Sequence, residues 1–149
     1  MSDNPIILVV EGNTELNRSV VACLAKKYNV ITAFDGQTGL EKAVATQPAL
    51  IITGIALQSD GAAMIGQLHQ YPQLAETPIL LLSGQADEAL KIKLLNEGAQ
   101  DFVTLPFAEI DLLVRTRNLI QLKQSRMSLP LAFLSPDCFS KASLTSRKR

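Results

Sequence analysis

The sequence is poor in the residues on which disulfide scaffolds, metal centres and membrane spans depend. Its 149 residues include no tryptophan, one histidine and two cysteines, and 5% are aromatic. Two cysteines far apart make no disulfide framework. The apolar runs reach only strand length, whereas a membrane helix needs roughly 20 apolar residues. The polar N-terminus is unlike a secretory signal. We therefore expect a cytoplasmic protein without membrane contact.

Composition divides the chain into two parts. A hydrophobic content of 47% is ample for one folded domain of this length. The net charge is zero, yet residues 126–149 carry five basic side chains and one acidic one, together with serines and prolines. This segment shows no sustained hydrophobic periodicity. We predict a domain over residues 1–125 and a poorly ordered basic tail over residues 126–149.

Short apolar runs alternate with helical patterns along residues 1–125. The runs lie at residues 6–10, 30–33, 50–53, 79–82 and 102–104. Three of them are continuously apolar, which is typical of parallel strands covered on both faces. Between them, apolar residues recur at helical spacing. The pattern predicts an α/β protein of (βα)5 type with a doubly wound parallel sheet. In such sheets the functional crevice lies at the carboxyl ends of the strands.

Enzymatic activity is not expected from this pattern. No glycine-rich phosphate loop follows the first strand, and the sequence offers no pairing of a nucleophile with a base. We therefore predict no catalytic residue and no organic cofactor.

Several segments at the predicted crevice carry a resemblance to a known family. They are ILVVE at 7–11, LIITG at 50–54, DG at 60–61, PILLLSG at 78–84 and GAQDFVTLPF at 98–107. In this order and spacing they resemble the response-regulator receiver family, from about Pro5 to Lys123. The resemblance implies a flavodoxin-like fold with five parallel strands in the order 2-1-3-4-5. It also implies a role in two-component or phosphorelay signalling.

The family's phosphorylation pocket is degenerate in this sequence. Receivers use two acids after the first strand, an acceptor aspartate after the third, a hydroxyl after the fourth and a lysine before a cis-proline after the fifth. The corresponding residues here are Glu11, Gly12, Gly54, Ser83, Leu105 and Pro106. Three of the five chemical groups are missing, including the acceptor at Gly54. We expect weak Mg²⁺ binding at most, because one carboxylate and one hydroxyl are a poor ligand set.

The resemblance also implies a contact surface. In similar receivers the fourth helix, fifth strand and fifth helix form a frequent dimer or effector face. Here that face holds Phe102, where the family has a switching aromatic, and the fifth-helix residues Arg115, Arg117, Leu119 and Leu122. The fifth helix has more apolar residues than one covered face requires, so we expect some of them, such as Leu119 and Leu122, to be exposed.

These residues together predict a pseudo-receiver that signals by protein contact, with protein partners or a second copy of itself. Two alternatives stay open. The basic tail could make the chain a nucleic-acid-binding regulator, although we do not expect nucleic acid as the main partner. The chain could also be a receiver that is phosphorylated at an unusual acceptor.

Overall fold

The computed structural model describes residues 4–54, 64–84 and 88–128. Strands and helices alternate along them. The strands are β1 (Ile6–Val10), β2 (Asn29–Ala33), β3 (Leu50–Gly54), β4 (Ile79–Ser83) and β5 (Asp101–Thr104). The helices are α1 (Thr14–Leu24), α2 (Gly36–Thr46), α3 (Met64–Leu68), α4 (Glu88–Asn96) and α5 (Glu109–Ser128), with a short 3₁₀ helix at Pro72–Leu74.

The five strands form one parallel sheet in the order β2-β1-β3-β4-β5. The predicted fold class and strand order are therefore confirmed. Because β1 and β3 are neighbours, the chain reverses its direction of winding between them, and the residues that follow these strands meet at one edge of the sheet. Strands β3 and β4 are buried along their whole length, as their apolar runs predict.

Side-chain caps fix where the first two helices begin. Asn13 caps α1 by accepting a hydrogen bond from the backbone N–H of Leu16 at 3.0 Å. Asp35 caps α2 in the same way through the N–H of Thr38 at 2.8 Å. That hydrogen bond lowers the pKa of Asp35. The β1–α1 turn, which lies at the carboxyl edge, is therefore held in a defined conformation.

Two apolar clusters cover the two faces of the sheet, because alternate residues of each strand point to opposite sides. On one face Leu8, Ile51 and Leu81 belong to a cluster that includes residues of α2, α3 and α4. On the other face the second cluster includes residues of α1 and α5, among them Leu24 and Leu112.

The division of the chain after residue 125 stays a prediction. The backbone of α5 continues without a break to Ser128, so the expected division after residue 125 falls inside a helix. Composition changes at that point, but helical hydrogen bonding does not depend on composition alone. Residues 129–149, on which the nucleic-acid alternative depends, lie outside the described residues. Within the described ranges, no helix is both long and apolar enough to cross a membrane.

Candidate functional site at the carboxyl edge of the sheet

The register of the strands brings most of the predicted pocket residues to one edge. Gly54 ends β3 and pairs with Leu82 of β4, which places it next to Ser83 in the sheet. On the other side of β3, Val10 of β1 pairs with Thr53, so Glu11 follows directly beside Gly54. Leu105 follows β5, and its N–H donates to the Ser83 carbonyl at 2.9 Å.

Three hydrogen bonds hold Glu11 at this edge, and in the first its backbone N–H donates to the Ala33 carbonyl at 3.0 Å. Its Oε2 accepts from the backbone N–H of Asn13 at 2.8 Å. Its carbonyl oxygen accepts from the side-chain amide of Asn17 at 3.0 Å. Asn17 is a buried residue of α1, so its side chain ties the turn to the helix. The Glu11 carboxylate is therefore oriented by the start of α1.

The Glu11 carboxylate lies over Gly54. A Cβ atom added to Gly54 would overlap Glu11 Oε1 and lie 2.9 Å from Glu11 Cδ. Real Cβ atoms do not come so close to other heavy atoms, so the carboxylate now fills the space that a side chain at position 54 would enter. Gly54 is not among the described glycines with positive φ. The absence of a side chain at position 54 matters because it leaves room for the Glu11 carboxylate.

On the β5 side of the edge lie Ser83 and Leu105, neither of which is charged. Ser83 is buried, and its hydroxyl donates to the Gly84 carbonyl at 3.2 Å. Leu105 is half-buried and packs against the second apolar cluster. The bond between Leu105 and Pro106 is cis, as predicted. Position 105 carries leucine and not lysine, so this side of the crevice has an apolar contact where a positive charge would otherwise lie.

The described residues do not fit a metal ion. Mg²⁺ binds through several oxygen ligands, usually including more than one carboxylate or a substrate phosphate. At this edge Glu11 supplies one carboxylate, while Gly12 and Gly54 supply none. Among residues 4–54, 64–84 and 88–128 there is no cluster of three or more histidine, cysteine, aspartate or glutamate side chains.

A second group of interacting residues joins α4, β5 and α5. Lys91 of α4 places its ammonium 4.0 Å from the centre of the Phe102 ring on β5 and 3.1 Å from Glu88 Oε1. Such a cation over an aromatic face is attracted by the ring quadrupole. Phe102 is half-buried, so Lys91 covers the ring from the α4 side and favours one ring position.

Arg115 connects β5 to α5. Its Nη1 lies 2.8 Å from both carboxylate oxygens of Asp101, and its Nε lies 2.8 Å from Asp111 Oδ1. These hydrogen bonds, first with Asp101 and then with Asp111, raise the pKa of the Arg115 guanidinium. The spacing of Asp111 and Arg115, four residues apart on one helix, is a sequence signal that could have identified this pair.

The expectation that Leu119 is exposed is wrong. Leu119 is 7% exposed and belongs to the second apolar cluster, and Leu122 is half-buried against the same cluster. The cause is that α5 packs against α1 as well as against the sheet, so its buried stripe is wider than one sheet face requires. Arg117 is exposed.

The apolar residues exposed on α4 and α5 are different ones. Val114 is 37% exposed, Ile92 is 51% exposed and Ile110 is 69% exposed. Ile92 adjoins Lys91 in sequence, and Val114 adjoins Arg115. We define the contact face as Ile92, Ile110 and Val114 with the charged residues Lys91, Asp101, Asp111, Arg115 and Arg117 and the ring of Phe102. Sequence reasoning missed Ile92 and Ile110.

A five-stranded parallel sheet in the order β2-β1-β3-β4-β5, with helices on both faces, is a flavodoxin-like fold. The family model of the response regulator receiver domain matches residues 7–117. The chain belongs to this family and is a receiver domain of two-component signalling.

Known proteins of two kinds are similar to this chain. The hybrid signal transduction histidine kinase D of Dictyostelium discoideum is 44% identical over 128 residues, which cover 85% of the chain and 8% of the kinase. The response regulator ArlR of Staphylococcus aureus is 34% identical over 116 residues, which cover 77% of the chain and 52% of ArlR. The chain thus spans about half or less of these relatives.

A solved structure agrees with the fold. The signal receiver domain of an HD domain-containing protein from Pseudomonas fluorescens superposes with a TM-score of 0.76 at 25% sequence identity, covering 87% of this chain and 96% of that domain. The likeness extends over nearly the whole receiver and not over one motif alone.

Proposed function

We propose that this chain is a pseudo-receiver, which transmits a two-component signal by protein contact and not by aspartyl phosphorylation. The observation that carries this proposal is the position of the Glu11 carboxylate in front of Gly54. Position 54, where the resemblance places the phosphoryl acceptor, has no side chain, and the Glu11 carboxylate fills the space in front of it. A phosphoryl group arriving there would meet a fixed negative charge and no acceptor.

The rest of the edge supports the same proposal. Transfer of a phosphoryl group depends on cations that neutralise charge on its oxygens. Leu105 provides no cation, and the described carboxylates form no metal cluster. We therefore propose that the chain needs neither Mg²⁺ nor an organic cofactor for its role and that it catalyses no reaction.

The contact face supplies the partner surface in this proposal. It combines three exposed apolar residues with both signs of charge, three basic residues and two acidic ones. A surface that carries both signs can complement a second copy of itself across a two-fold axis, as isologous dimers require. We propose self-association through this face, and contact with other signalling proteins through the same residues.

Charge substitutions on the contact face test this function. Val114→Asp and Ile92→Asp place an acid on an apolar contact, and each is expected to weaken self-association by roughly 1–3 kcal/mol, or about 5- to 150-fold. Sedimentation velocity over a range of protein concentrations measures the dimer constant. Circular dichroism checks that each variant stays folded.

Phe34→Asp provides the matched control. Phe34 is 50% exposed and follows β2, at the opposite edge of the sheet from β5. We expect this variant to associate as the unsubstituted chain does. A chain that stays monomeric at all concentrations, or a loss of association in Phe34→Asp alone, would refute self-association through this face.

A further inference from the structure

Glu11 and Gly54 are related in a way that their separate positions in the sequence do not show. Glu11 belongs to the turn after β1, and Gly54 ends β3, yet the carboxylate of the first occupies the side-chain space of the second. An acidic group therefore lies at the end of β3, but it belongs to the residue that follows β1.

The backbone around Glu11 favours this placement of its carboxylate. The N–H of Asn13 holds Oε2 at 2.8 Å, and this N–H belongs to the turn that opens α1. Hydrogen bonds to the charged form of a carboxylate are stronger than neutral ones. Asn17 holds the Glu11 carbonyl from the buried side of α1. One carboxylate oxygen and the carbonyl oxygen of Glu11 thus each accept a hydrogen bond, and the side chain reaches the space in front of Gly54.

Glycine at position 54 is the condition for this arrangement. Any larger residue would bring its Cβ into the carboxylate. An acidic residue there would in addition place two like charges together, which disfavours ionisation of both. The Glu11 carboxylate therefore has to leave its present position when a side chain is added at position 54.

We propose that the Glu11 carboxylate permanently occupies the crevice in front of position 54 and blocks the site where a phosphoryl group would bind. This inference rests on the proposed function and explains it at the level of one side chain. The carboxylate in front of position 54 comes here from the β1–α1 turn, where the Asn13 N–H holds one of its oxygens.

A comparison of single and double variants tests this occupancy. Gly54→Ala introduces only the Cβ, and Glu11→Ala removes the occupant. In the ¹H–¹⁵N NMR spectrum, the Asn13 amide is expected to shift in Gly54→Ala nearly as far as in Glu11→Ala, since the carboxylate leaves its N–H in both. Glu11→Gln, which keeps an oxygen acceptor of the same length, is expected to retain an amide position close to that of the unsubstituted chain.

Unfolding equilibria in urea provide the second readout. Gly54→Ala should raise the unfolding constant more when Glu11 is present than in the Glu11→Ala background, with a coupling of about fivefold, as expected of residues in contact. Gly36→Ala is the matched control, because a Cβ at Gly36 meets no atom within 4 Å. It should leave the Asn13 amide in place.

Additive effects of the two substitutions, or an Asn13 amide that does not move in Gly54→Ala, would overturn the internal occupancy. That failure is separate from a failure of the proposed function. The chain could still remain unphosphorylated with an open crevice, and the intact mass of the unsubstituted chain after treatment with a phosphodonor decides that question independently.

Discussion

Leu119→Asp is expected to lower the free energy of unfolding by about 3–5 kcal/mol, because it replaces a packed side chain by an unpaired acid in the second apolar cluster. Leu119 is buried among residues of α1, α5 and the sheet. Urea denaturation followed by circular dichroism measures the change. The loss would arise from the domain itself, so it is expected in dilute protein where self-association is absent.

Val114→Asp is the control on the same helix. Val114 is exposed, and surface substitutions usually change the free energy of unfolding by about 0.5 kcal/mol or less. If Leu119→Asp proves as stable as Val114→Asp, then α5 does not pack on the sheet as described. A contact role for Leu119 would then be open again.

Rebuilding the phosphorylation pocket is expected to require four substitutions. Glu11→Asp with Gly12→Asp, Gly54→Asp and Leu105→Lys should convert an inert chain into one that takes a phosphoryl group from acetyl phosphate with Mg²⁺, releasing acetate. The shorter acid at position 11 withdraws from the space in front of position 54. The added acids hold the metal, and the lysine pairs with the phosphoryl oxygens.

Gly54→Asp alone should remain inert, since its side chain meets the Glu11 carboxylate and finds neither a second acid nor a lysine. The variant with the other three substitutions but with Gly54 kept controls for phosphorylation elsewhere. Intact-mass spectrometry reads the outcome in each case. Phosphorylation of the single variant to the same extent as the fourfold variant would show that the missing groups are not coupled.

The fold follows closely from the sequence because its main determinants are local. Continuous apolar runs give buried parallel strands, and helical spacing gives the covering helices, whose starts are marked by Asn13 and Asp35. The cis bond before Pro106 follows from the resemblance. The wider buried stripe of α5 could not be predicted, because it depends on how α5 meets α1. A comparison of the number of apolar residues with one sheet face therefore wrongly predicts that Leu119 is exposed.

The sequence predicts which residues belong to the site, but it does not predict how their side chains are placed. The sequence shows that an acid remains at Glu11 and that Gly54 has no side chain. It does not show that the acid reaches across to β3, since that depends on the side-chain torsions of Glu11 and on the N–H of Asn13. Likewise Asp101 is an ordinary acid in the sequence, and only the packing of α5 on β5 brings it to Arg115.

The most direct measurement is the intact mass of the unsubstituted chain after incubation with Mg²⁺ and acetyl phosphate. A phosphorylatable receiver in the same tube confirms that the donor is active. A pseudo-receiver is expected to keep its mass and its dimer constant, because Gly54 offers no acceptor and Glu11 occupies the site. A gain of one phosphoryl group, lost again on treatment with hydroxylamine, would contradict signalling by contact alone.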